Sequence, residues 1–81
     1  MDLGIDLVPE EKRIVMIYLI EHPNFAYRPS MISRRLSRSG ILITPHRISK
    51  ILLEMHRLGR AERFERGEGK SKKVYYLFRK T

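Results

Sequence analysis

The sequence predicts an α+β domain: three helices followed by a C-terminal two-stranded β-hairpin. Three observations carry this expectation. The stretch Thr44 to Gly59, TPHRISKILLEMHRLG, has both helix-end signals and one apolar face at helical spacing. Two further runs at helical spacing open on a proline, Pro9 and Pro29. After Gly59 the spacing changes from helical to alternating, in two segments, 60–66 and 72–78, separated by the flexible turn Gly67-Glu68-Gly69-Lys70-Ser71.

Residues 1–8, MDLGIDLV, read as an N-terminal arm, and residues 9–81 as one domain. The arm's Leu3, Ile5, Leu7 and Val8 are expected to pack on the domain or on a second subunit. The first helix starts at Pro9, with Glu10 and Glu11 on the favourable side of the helix dipole. Its Ile14, Val15, Ile17, Tyr18, Leu19 and Ile20 are apolar around much of the circumference, the pattern of a helix buried centrally or shared with a neighbour. His22-Pro23-Asn24 stops it, with His22 read as a surface or helix-capping histidine. Phe25-Ala26-Tyr27-Arg28 is short and extended, a candidate third strand.

The second helix begins at Pro29 and Ser30. It turns Met31, Ile32 and Leu36 inward and Arg34, Arg35 and Arg38 outward, and ends at Gly40. Ile41-Leu42-Ile43 is an apolar connection expected to tuck into the core. The third helix has Thr44 as N-cap, Pro45 at its first position and Gly59 just past its end. Ile48, Ile51, Leu52, Met55 and Leu58 form its apolar face; His46, Arg47, Ser49, Lys50, Glu54 and Arg57 form the other. In the hairpin, folding about Gly69 pairs Phe64 with Val74 and Glu65 with Lys73. Phe64, Val74, Tyr76 and Phe78 then share one face, and Tyr75 and Leu77 the other.

Charge points to the partner. The 81 residues carry 17 Lys and Arg against 9 Asp and Glu, a net charge of +8. Four of the acids, Asp2, Asp6, Glu10 and Glu11, lie in residues 1–11, which hold no basic residue. A basic body with an acidic tip suits a polyanion, and two adjacent helices with a basic ribbon suit duplex DNA. No apolar run approaches the roughly 20 residues of a membrane span. The N-terminus lacks the features of a signal peptide, and there is no cysteine, so a cytoplasmic setting is expected. A chain this short has a modest core, which makes a homodimer reasonable through helix 9–22, the arm, or the outer face of the hairpin.

Helix, short strand, helix, helix and basic hairpin resemble the winged helix-turn-helix family. The text MHRLGRAER…GEGKSKKVYYL resembles small prokaryotic winged-helix transcriptional repressors: Gly59 ends the recognition helix, Gly67 to Lys73 form the wing, and Tyr75 with Leu77 return to the core. The resemblance covers about residues 9–79 and implies a three-helix winged helix-turn-helix with a DNA-binding, regulatory role. One departure is that such repressors often carry a dimerisation helix after the wing, whereas this sequence stops at Thr81.

On that basis helix 44–58 is expected to lie in the major groove, with Thr44, His46, Arg47, Ser49 and Lys50 at the bases. Arg47 and Lys50 are the first choices for guanine O6 and N7. Ser33, Arg34, Arg35, Arg38 and Arg57 are expected on the backbone. The wing residues Arg66, Lys70, Ser71, Lys72 and Lys73 are expected on an adjacent groove or its phosphates. The alternatives are an RNA-binding module, or a protein–protein module using Val74, Tyr76, Phe78 and Leu53. An enzyme is disfavoured. Gly69-Lys70-Ser71 has Phe64 where a phosphate-binding loop needs its first glycine, and it leads into a strand. His22, His46 and His56 lack carboxylates at metal-binding spacing, so no metal or cofactor is expected.

Overall fold

The third helix packs against both other helices and against the first strand of the hairpin. In the structure, a computed structural model that describes residues 9–78, this helix (α3, Pro45–Arg57) buries Ile48, Ile51, Leu52 and Met55. Thr44 caps its start, its Oγ1 accepting from the Arg47 N–H at 3.3 Å. At the other end Gly59 adopts φ +77°, and the Arg60 N–H reaches back to the Met55 carbonyl at 2.9 Å. This closes the last turn with the left-handed residue that glycine supplies without strain.

The first helix (α1, Pro9–Glu21) contributes Val15 and Leu19 to the core. The second (α2, Pro29–Arg38) contributes Ile32 and Leu36. Ile43, from the α2–α3 connection, is buried with them, but the rest of that connection departs from expectation. Ile41 is only partly buried and Leu42 is 82% exposed. A short connection running over the surface turns alternate side chains in opposite directions, so Ile43 and, in part, Ile41 face the core while Leu42 faces out.

The hairpin consists of β1 (Ala61–Arg66) and β2 (Lys73–Phe78), antiparallel. The pairs are Phe64 with Tyr75, Glu65 with Val74 and Arg66 with Lys73, one residue away from the expected register. The reason is the turn: Gly69–Ser71 is a 3₁₀ turn rather than a slack loop, and it moves the centre of the hairpin past Gly69. A one-residue slip exchanges faces. Ala61, Val74, Tyr76 and Phe78 pack on the helices, while Phe64 moves to the outer face with Tyr75 and Leu77. The stripe Val74–Tyr76–Phe78, considered above for partner binding, is therefore occupied by the core. Tyr27 forms a single antiparallel bridge to Tyr76, with two N–H···O bonds of 2.8 Å, so the 25–28 segment adds one residue pair to the sheet rather than a full strand.

The order helix, helix, helix, hairpin in one α+β layer is the winged helix-turn-helix fold. The N-terminal arm, residues 1–8, and residues 79–81 lie outside the described residues.

Candidate nucleic-acid interface

Two ion pairs set the roll of α3 against α1. Lys12 Nζ lies 3.0 Å from Glu54 Oε1, and Arg47 Nη2 lies 2.7 Å from Glu11 Oε1. Arg47 and Glu54 are seven residues apart, hence on one flank of the helix, and that flank faces α1. The Glu11 oxygen is buried and has no aligned hydrogen-bond donor, so the guanidinium meets it as a close charge contact.

With the apolar face inward and this flank committed, one stripe remains. His46, Lys50, Leu53 and Arg57 recur at intervals of four, three and four residues along the outer side of α3, with Ser49 beside them. His46 and Arg57 are exposed; Ser49, Lys50 and Leu53 are half-buried. No ion pair among the described residues engages His46, Lys50 or Arg57. Leu53, an apolar residue, shares this stripe by its spacing from His46 and Lys50.

The α2 arginines divide in a similar way. Arg34 and Arg38 are exposed. Arg35 turns toward α1: its Nη1 is 3.5 Å from the Tyr18 hydroxyl, and its guanidinium lies 5.4 Å from the Tyr27 ring centre. Contact with Tyr18, and then the charge of Tyr27, push the Arg35 pKa further above its ordinary value. Burial pushes the Tyr27 phenol up, Tyr18 adds to this, and Arg35 opposes it. His22 completes the cluster, stacking on Tyr18 at 4.5 Å and bonding through Nδ1 to the Tyr18 carbonyl at 2.8 Å, where it caps the last turn of α1. Ser33 spends its hydroxyl proton on the Ile43 carbonyl at 2.6 Å, pinning the α2–α3 connection.

The wing is ordered by its own bonds. Ser71 Oγ donates to the Glu68 carbonyl at 2.7 Å, closing the 3₁₀ turn. Lys72 Nζ is 3.1 Å from Glu65 Oε1, and Arg63 Nη1 is 3.2 Å from Glu65 Oε2. Lys72, and then Arg63, hold the Glu65 carboxyl below its ordinary range, against a smaller opposing effect of desolvation. Arg63 is pushed up, chiefly by the Tyr76 hydroxyl. At the end of the hairpin nearest the turn, Arg66 faces Lys73 directly across the strands. Like charges in that relation repel, and among the described residues neither has an acidic partner.

The structure thus brings His46, Ser49 and Lys50 together with Arg57 along one stripe, leaves Thr44, Arg34, Arg38 and Lys70 exposed, and sets Arg66 against Lys73. It engages Arg47, Arg35, Lys72, Ser33 and Ser71 internally. Among the described residues there is no group of three or more His, Cys, Asp or Glu able to hold a metal ion. No described helix is long and apolar enough to cross a membrane.

No family model matches the chain, and no curated protein sequence does. Among solved structures, the crystal structure of a PadR family transcriptional regulator from Eggerthella lenta DSM 2243 superimposes with a TM-score of 0.69 at 18% sequence identity. The match covers 86% of this chain and 63% of that one, so this chain spans less than two thirds of the neighbour's length. Similarity at this identity establishes the fold.

Proposed function

We propose that this chain is a sequence-specific double-stranded DNA-binding protein acting as a transcriptional regulator. The outer stripe of α3 enters the major groove. His46, Ser49 and Lys50 meet base edges, with Lys50 the first choice for guanine O6 and N7 and Leu53 available to a thymine methyl. Arg57, Arg34 and Arg38 contact the backbone, with Thr44 at the helix N-terminus donating its hydroxyl proton to a phosphate. Arg66, Lys70 and Lys73 contact phosphates beyond the recognition helix. Arg47, Arg35, Lys72, Ser33 and Ser71 serve by holding the elements in place. This is binding chemistry, with no reaction assigned.

The observation that carries the reading is the division of labour on α3. Its flank cation is neutralised by Glu11, whereas Lys50 and Arg57, on the side away from the core, have no counter-ion among the described residues. The fold shared with a transcriptional regulator supports it.

Fluorescence anisotropy with a random duplex across a salt series tests the basic claim. Affinity should fall steeply with salt through counterion release. Charge removal at Arg34 or Lys73 should weaken all duplexes alike and reduce the salt slope by about one each. Binding indifferent to salt, or unchanged in both variants, would exclude the proposed surface.

One observation favours a second reading, single-stranded RNA or DNA. Phe64 and Tyr75, paired on the outer face of the hairpin, line a cleft of about 320 Å³ with Ala26 and Arg66. Aromatic rings beside a guanidinium suit a stacked base. Competition between duplex DNA, structured RNA and single strands at fixed salt separates the two readings.

A further inference from the structure

Among the described residues, the outer face of α1 has no partner. Val15 and Leu19 occupy the core side. Opposite them Glu10, Arg13, Ile17, Ile20 and Glu21 form an exposed stripe, with Ile17 44% and Ile20 43% exposed. No ion pair among the described residues engages Arg13 or Glu21. The apolar surface continues through Met16 to Leu58, itself 66% exposed, across a groove of about 140 Å³ that also touches Ile51 and Met55.

The charges on this stripe are arranged for self-recognition. Arg13 lies four residues before Ile17 and Glu21 four residues after it. If a second α1 crosses antiparallel about a two-fold axis at Ile17, residues equally far from Ile17 face one another. Ile17 then meets its own copy, and Arg13 meets the partner's Glu21, twice in the symmetric interface. A parallel crossing would set arginine on arginine and glutamate on glutamate.

We propose that a second copy of this chain docks on this face, forming an isologous antiparallel α1–α1 interface with Ile17 and Ile20 at its centre and two Arg13–Glu21 pairs at its ends. The proposal does not depend on nucleic-acid binding, and its test uses none.

Sedimentation equilibrium of the full chain without nucleic acid, over a wide concentration range, reads the association directly. The wild type should dimerise reversibly. Ile17→Glu, a surface change that leaves the helical circular dichroism intact, should be monomeric. Arg13→Glu and Glu21→Arg should each weaken the dimer by roughly tenfold or more. The double variant Arg13→Glu/Glu21→Arg should recover wild-type association. A mixture of the two single variants should form heterodimers more readily than either associates with itself, because each like-charge contact becomes an opposite-charge contact in the mixed pair. A wild type that stays monomeric throughout overturns the proposal and leaves the face to some other partner. So does association unaffected by the single variants, or unrestored by the exchange.

Discussion

Arg47 points away from the outer face of its helix and lies 2.7 Å from the buried carboxylate oxygen of Glu11, on the first helix. The most conspicuous candidate for base contact is thereby a tie between two helices. Arg47→Met should leave a buried oxygen without its charge partner, a cost of about 1–3 kcal/mol. For a domain of this size that is a fall in Tm of roughly 4–8 °C per kcal/mol. The double variant Glu11→Leu/Arg47→Met should lose less than the two single losses combined, since neither charge is stranded. Thermal unfolding of the four proteins checks this. Strict additivity would show that the contact carries no coupling.

Arg66 and Lys73 oppose one another, with no counter-ion among the described residues. Replacing Arg66 by Glu should convert repulsion into attraction and raise stability by about 0.2–1 kcal/mol. The same change should weaken DNA binding. Denaturant unfolding and anisotropy on one preparation test both halves. A variant less stable and equally good at binding would contradict the role given to this pair.

Gly67 has φ +98°, and a Cβ there would lie 2.6 Å from the Ser71 carbonyl oxygen. Both the left-handed backbone and the backbone contact oppose any side chain. Gly67→Ala should loosen the wing turn, weakening DNA binding while the helices stay folded. Amide exchange should increase at Ser71 and Lys72, whose N–H groups bond to Glu68 and Gly69, and remain slow at the core of α3. Exchange unchanged at the turn would show that its geometry tolerates the methyl group.

Glu65 supplies a pH dependence. Its carboxyl is held below the ordinary range by Lys72 and then Arg63. A depressed folded-state pKa means the contribution is present above the unfolded-state value and is lost as pH falls through the folded-state value. The wing contacts should therefore persist below the ordinary glutamate pKa of about 4.3 and release only at lower pH. A carboxyl-carbon NMR titration should place the Glu65 midpoint low, and Lys72→Met should move it up toward the ordinary value. A midpoint at the ordinary value in both proteins would remove the interaction.

Local signals in the sequence predict the fold well because helix ends are local chemistry. Pro9, Pro29 and Pro45 start the helices, Thr44 caps the third, and Gly40 and Gly59 take positive φ where the second and third end. What local signals do not contain is pairing across the fold. Glu11 reads as a helix-dipole acid until α3 is laid beside α1, and Arg35, which stays exposed, reads as uncommitted until Tyr18 and Tyr27 are brought beside its guanidinium. The hairpin register depends on a 3₁₀ turn closed by Ser71, which a glycine-rich stretch does not announce, and this one residue decides where Phe64 points. Residue type gave Arg47 and Lys50 equal standing; only the roll of α3 separates them.

If Lys50 reads bases and Arg47 ties the helices, selection from randomised duplex DNA, sequenced after binding, separates them when wild type, Lys50→Ala and Arg47→Met are run in parallel. On that assignment the wild type should enrich a defined site, Lys50→Ala should relax one base-pair position of it, and Arg47→Met should retain the site. Relaxation by Arg47→Met with Lys50→Ala unchanged, or no enrichment by the wild type, would contradict it.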